Sequence, residues 1–132
     1  MRINTIEWLK SAEMDLESIQ LIMHVEKLTP VVSFHAQQAV EKCLKALLEE
    51  FAGKVPKEHS IIKLHKMVNE KVNLEIDYDI MTDFDQIYIE ARYPGEAGLL
   101  PDGAPSIDEA ASFYNFAMAL FKRVKIIINQ GI

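Results

Sequence analysis

The segment Thr29 to Gly53 reads TPVVSFHAQQAVEKCLKALLEEFAG, and its periodicity decides the fold. At 100° per residue, Ala36, Ala39, Val40, Cys43, Leu44, Ala46, Leu47, Leu48 and Phe51 cover more than half the circumference of a helix. A helix so broadly apolar must touch more than one neighbour. Thr29 is suited to cap its start, Pro30 to occupy its first position, and Gly53 to stop it. On the remaining side His35, Gln38, Lys42, Lys45 and Glu49 form a single polar stripe. That stripe reads either as a solvated face or as the wall of a polar groove that meets a ligand.

Helical spacing extends to both sides of this segment. Leu9, Ala12, Leu16, Ile19 and Met23 recur in steps of three and four, which predicts a first helix from about Thr5, as its cap, to Glu26. Ser60 before Ile61, Ile62, Leu64, Met67 and Val68 predicts a short third helix ending near Val72. A fourth helix begins near Asp77, places Ile80, Phe84, Ile87 and Ala91 inward, and breaks where Pro94 biases Tyr93 out of helical geometry. Gly95 to Pro105 (GEAGLLPDGAP) is expected to be a long irregular loop. Ser106 and Glu109 stand in capping-box register for a fifth helix that ends before Gly131. The expected architecture is all-α, an up-and-down four-helix bundle with an additional short helix, in a single domain over residues 1–132. The apolar girth of the second helix, with Phe113, Tyr114, Phe116 and Phe121 on the fifth, argues for a symmetric dimer.

Composition excludes several classes. A single cysteine, Cys43, rules out a disulfide scaffold and any multi-cysteine zinc site. The formal charge of −6 opposes general adhesion to nucleic acid. Met1 to Lys10 lacks an apolar signal core and no stretch approaches a membrane span, so cytoplasmic residence is expected. The charge is unevenly spread: nine carboxylates between Asp77 and Glu109 face the single cation Arg92, whereas Lys42 to Lys71 carries seven lysines.

Metal and covalent chemistry find little support in the side chains. His24, His35, His59 and His65 form no His-Glu-x-x-His pair, and no metal or cofactor is expected. The helical neighbours of Cys43 are apolar, which suits a core thiol. Carboxylates two apart, such as Asp83 and Asp85, diverge on a helix. Arg92 stands out as the sole cation of an acidic tract, at a helix break beside Tyr93. Its planar fork suits phosphate or carboxylate and Tyr93 can stack on a ring, while capping the end of its own helix remains an equal account of Arg92. His59 reads either as a connector residue bonded to backbone or as part of the same site.

Ser33-Phe34-His35-Ala36-Gln37-Gln38-Ala39-Val40-Glu41-Lys42-Cys43-Leu44-Lys45-Ala46-Leu47-Leu48 resembles the second-helix signature of HEPN domains (higher eukaryotes and prokaryotes nucleotide-binding). Trp8 with Ala12 and Asp15-Leu16 resembles that family's first helix, His59-Ser60-Ile61 with Leu64 the start of its third, and Ala91-Arg92-Tyr93-Pro94 the close of its fourth. The resemblance implies a helical bundle that dimerises. It also implies two functional classes: partners of small nucleotidyltransferases in toxin-antitoxin pairs, and metal-independent ribonucleases in which a His follows an Arg by four to six residues. This chain departs from the second pattern, because Tyr93, Pro94, Gly95, Glu96, Ala97, Gly98 and Leu99 follow Arg92 and no His lies beyond His65.

Metal-free RNA cleavage needs one group to move the 2′-hydroxyl proton and another to stabilise the phosphorane. Arg92 supplies only the second. The expectation is therefore a non-catalytic module that binds a nucleotide or anion, or that partners a nucleotidyltransferase, with Arg92, Tyr93, Lys42, Lys45, His59, Gln38 and His35 as ligand-binding candidates. The alternative is a divergent ribonuclease that borrows His35 or His59 from another helix or subunit.

Overall fold

A computed structural model describes residues 1–92 and 103–130, without the side chain of Arg92. Its elements are α1 (Ile3–Ile22), a 3-10 turn (Glu26–Leu28), α2 (Thr29–Ala52), α3 (Ile61–Asn69), α4 (Tyr78–Arg92) and α5 (Ile107–Gln130). The chain is all-α, with no strand among the described residues. α2 is the central rod, with α1, α5, α3 and α4 of the same chain packed around it.

That arrangement changes the meaning of the broad apolar girth. Fourteen residues of α2 are buried, from Thr29 to Leu48, and all are covered by neighbours within one subunit. The girth therefore does not by itself require a second copy. Phe84 seats α4 against α5 through tilted ring pairs with Phe113 at 5.3 Å and Phe116 at 5.8 Å. Phe121 is buried, and Tyr114 accepts a hydrogen bond from Gln20 Nε2 at 2.9 Å. The aromatic groups of α5 are thus also largely accommodated at home.

Several helix ends follow their local chemistry. Gly53 closes α2 at φ 69°, with its N–H on the Leu48 carbonyl. Ser60 caps α3 by accepting the Lys63 amide, and Ser106 and Glu109 form the expected capping box, with both bonds at 3.0 Å.

Other ends differ from expectation. α1 stops at Ile22 rather than Glu26, because the chain tightens into the 3-10 turn. Thr5 lies buried inside α1, and Arg2 holds the cap position, where its N–H bonds Glu50 Oε1 at 3.0 Å. Thr29 is not a cap either: the turn feeds directly into α2, and the Thr29 amide is satisfied by the Glu26 carbonyl. α3 ends at Asn69 rather than near Val72, because the chain turns at Glu70 and Lys71, and Asn69 Oδ1 then accepts the Leu74 amide at 3.0 Å. Tyr93, Pro94 and the expected loop as far as residue 102 lie outside the described residues. Among the described residues, no helix is long and apolar enough to cross a membrane.

Candidate functional site

The polar stripe of α2 is neither a solvated face nor one continuous wall. His35, Gln38, Lys42 and Glu49 are half-buried and Lys45 is buried. Two buried carboxylates divide its histidine and two lysines between them.

The first is Asp15 of α1, which is 8% exposed. Lys42 Nζ donates to its Oδ2 at 2.7 Å, and His35 Nδ1 lies 2.9 Å from its Oδ1. The second is Glu41 of α2, which is 4% exposed and faces inward among apolar residues. Lys45 Nζ donates to its Oε2 at 3.0 Å, and His59 Nδ1 lies 3.3 Å from both of its oxygens. Each carboxylate thus holds one lysine and, through Nδ1, one histidine. The lysine head of the second cluster also sits 5.4 Å over the Trp8 ring, a cation–π contact from α1.

The side chains of Gln38 and Gln37 continue this network. Gln38 Nε2 donates to Gln37 Oε1 at 2.7 Å, and Gln37 Nε2 reaches Glu41 Oε1 and the His59 carbonyl, each at 3.4 Å. Ser33, Gln37, Glu41 and Lys45 are spaced four apart and are all buried, so a polar row runs along the covered side of α2. The Ser33 hydroxyl in that row has no partner.

His59 is the most accessible member, with 48% of its side chain exposed. Its ring stacks on Tyr88 of α4, with centroids 4.8 Å apart and planes 17° from parallel. The connector is fixed from below. Glu58 accepts the His59 amide at 3.0 Å and the Ser60 amide at 3.1 Å, and these bonds, Ser60's first, hold its carboxyl below the usual carboxylate range. Asp85 of α4 takes the Ser60 hydroxyl at 2.7 Å and the Ile61 amide at 2.5 Å. α3, α4 and α2 therefore converge on one half-exposed imidazole.

The sequence-derived candidates are thus separated. Lys45 and His59 meet at Glu41, His35 and Lys42 meet at Asp15, and Gln38 joins the first group through Gln37. Arg92 ends α4 one turn beyond Tyr88, with its side chain outside the described atoms, and Tyr93 lies outside the described residues altogether. Asp15, Gln37, Glu41, Trp8 and Tyr88 were not among the candidates. A carboxylate and an amide interrupting the apolar arc of α2 at four-residue spacing is the signal that would have found Glu41 and Gln37.

The remaining histidines and the thiol play other parts. His65 Nε2 meets the Leu74 carbonyl at 2.5 Å and so braces the chain after α3. Cys43 is fully buried, and burial, helped by the Asp15 charge, pushes its thiol far above the ordinary range, so it is inert as a nucleophile. Among the described residues no group of three or more His, Cys, Asp or Glu side chains is placed to hold a metal ion. Two surface recesses lie elsewhere. One of about 340 Å³ runs between α1 and α5 past Glu13, Glu17, Lys122 and Lys125, and an apolar one of about 310 Å³ is lined by Pro30, Val31, Phe34 and Ala91.

The family model of the HEPN domain matches residues 5–127. Among solved structures, the chain is similar to ST0689, an archaeal HEPN homologue, at 28% identity and TM-score 0.67, covering 94% of this chain and 97% of that one. It is also similar to TT1696 from Thermus thermophilus, at 26% identity and TM-score 0.74, covering 94% and 98%. No curated protein matches.

Proposed function

The chain belongs to the HEPN domain family, and on that premise we propose that it is a non-catalytic module that binds a nucleotide on the face formed by His59 and Tyr88. The observation that carries this reading is the near-parallel stack of the two rings, 4.8 Å apart, with the imidazole about half exposed. Such a pair presents a flat, partly apolar surface for a base and a nitrogen beside it for a polar contact. Lys45 and Gln37 support the imidazole from behind through Glu41, and Gln38 extends the polar edge. Arg92, which ends α4 one turn beyond Tyr88, is the anion-binding candidate next to this site, and Tyr93 follows it in the sequence. Calorimetry of the purified chain against nucleoside mono- and triphosphates, beside His59→Ala, tests it. Binding that His59→Ala abolishes supports the reading, and silence at millimolar nucleotide removes it.

The same module serves, on this reading, as a partner protein. Ile3, Met14 and Leu21 are 79%, 67% and 85% exposed, and their spacing puts them along one face of α1. These side chains favour a protein partner: a second copy of the chain, or a small nucleotidyltransferase in a toxin-antitoxin pair. Light scattering of the chain alone and copurification with a nucleotidyltransferase encoded beside it separate the two.

The ribonuclease alternative gains one observation, since His59 lies against the helix that carries Arg92, one turn before it, in the same subunit. Cleavage of labelled RNA in chelator by wild type, lost in His59→Ala and Arg92→Ala, would establish it. Equal traces from all three would dismiss it.

A further inference from the structure

Resting on the nucleotide-binding reading, we propose that Glu41 is the positioning residue of that site: it fixes His59 with its proton on Nδ1 and Nε2 turned outward as an acceptor, so the site selects ligands carrying a hydrogen-bond donor over bare phosphate. The donor is a sugar hydroxyl or a base amine, and the ligand class is a nucleoside or nucleotide.

The starting point is a buried charge pair that stability alone does not explain. Glu41 is 4% exposed and Lys45 5%. Apolar residues of similar volume often replace such a pair without loss of stability, because desolvation offsets the attraction. What the pair does accomplish is to confront one half-exposed imidazole with a carboxylate whose charge is already balanced. Lys45 Nζ is 3.0 Å from Oε2, and the Gln37 amide approaches Oε1 at 3.4 Å.

A carboxylate only accepts, so the ring nitrogen facing it carries the hydrogen. That nitrogen is Nδ1, equidistant at 3.3 Å from both oxygens. With Lys45 already donating to the same carboxylate, a single ring N–H satisfies the contact, and in that tautomer Nε2 keeps its lone pair. Rotation is resisted on two further sides, by the Tyr88 stack and by the amides of His59 and Ser60 on Glu58. Among the described residues no hydrogen bond occupies Nε2, and about half of the His59 side chain is exposed.

A lone pair in that position accepts from a hydroxyl or an amine. A phosphate oxygen is itself an acceptor and finds no donor at an Nε2 that keeps its lone pair. The same construction recurs independently at Asp15, where Lys42 at 2.7 Å balances the charge and His35 turns Nδ1 inward at 2.9 Å.

The test uses the full chain labelled with ¹⁵N. Long-range ¹H–¹⁵N correlation of the imidazoles, without ligand at neutral pH, reads the tautomer directly, and His59 is expected in the Nδ1–H form. Finding the Nε2–H form in wild type overturns the proposal, whether or not any variant folds. In Glu41→Gln, with folding checked by circular dichroism, the pattern is expected to become mixed; an unchanged pattern also overturns it.

Adenosine and inorganic phosphate are then titrated separately. Adenosine is expected to bind Glu41→Gln roughly five- to tenfold more weakly than wild type, the worth of one hydrogen bond, while phosphate shows no such loss. Adenosine binding that ignores the substitution refutes the selectivity. Failure of every nucleoside and nucleotide to bind wild type would instead remove the nucleotide reading and the ligand preference with it. The tautomer spectrum would still judge the role of Glu41.

Discussion

Ser60 Oγ donates to Asp85 Oδ2 across 2.7 Å, and the other oxygen of the same carboxylate accepts the Ile61 amide. A residue of α4 thereby caps the first turn of α3 and fixes the connector that carries His59. Asp85→Ala leaves a hydroxyl and a helix-terminal amide without this acceptor. It is expected to cost about 2 kcal/mol in urea unfolding, with Asp85→Asn milder. A loss below about 0.5 kcal/mol would mean that α3 is held otherwise.

The buried pair of Glu41 and Lys45, both about one-twentieth exposed, makes a second prediction. Lys45→Met alone strands a carboxylate in the core and is expected to cost about 3–5 kcal/mol, whereas adding Glu41→Leu recovers most of the loss. A double-mutant cycle by chemical denaturation measures this. Additive losses would contradict the coupling.

Much of the fold was legible because its signals are local. The Ser106 and Glu109 box, the Ser60 cap and the Gly53 stop each need only a few residues to act, and each stands where its sequence placed it. The candidate site was less legible because its partners are distant in sequence. Nothing near Lys42 announces Asp15, and nothing near His59 announces Tyr88. Thr29 looked like a cap because the chain break was visible, while the 3-10 turn that serves its amide was not. The girth of α2 was read correctly as needing several neighbours. Counting how many one short chain supplies required the packing itself, and α1, α3, α4 and α5 supply them all.

Acid should weaken the fold through its capping carboxylates. The Arg2 amide lowers Glu50 and the Ser60 amide lowers Glu58, from an ordinary value of 4.5. Groups lowered on folding contribute stability above their unfolded value and lose it as pH falls through the folded one. Asp83 has the opposite sign: burial first, then Asp79, Asp77 and Glu109, raise it above 3.8. Its charge therefore opposes folding at neutral pH, and that cost fades as pH falls through the folded value. Asp83→Asn is expected to stabilise the protein at pH 7 by about 0.3 kcal/mol after solvent screening, and less in high salt. A destabilised variant at neutral pH and low salt would reverse the sign.

Cys43 supplies a probe of global opening. Its side chain is wholly buried in α2, so a thiol reagent reaches it only when the core opens. Labelling is expected to be slow in native buffer and to accelerate with urea in parallel with unfolding. Rapid labelling of the native protein would show that the α1–α2–α5 core opens locally.

The central claim is that a nucleotide sits on His59 and Tyr88, and chemical-shift mapping addresses it most directly. AMP titrated into ¹⁵N-labelled protein is expected to move the amides of Glu58, His59, Ser60 and Tyr88 in a saturable way, with Glu13, Met118 and Lys122 of the α1–α5 recess unmoved. Saturable shifts confined to that recess, or none at His59 and Tyr88, would contradict the account.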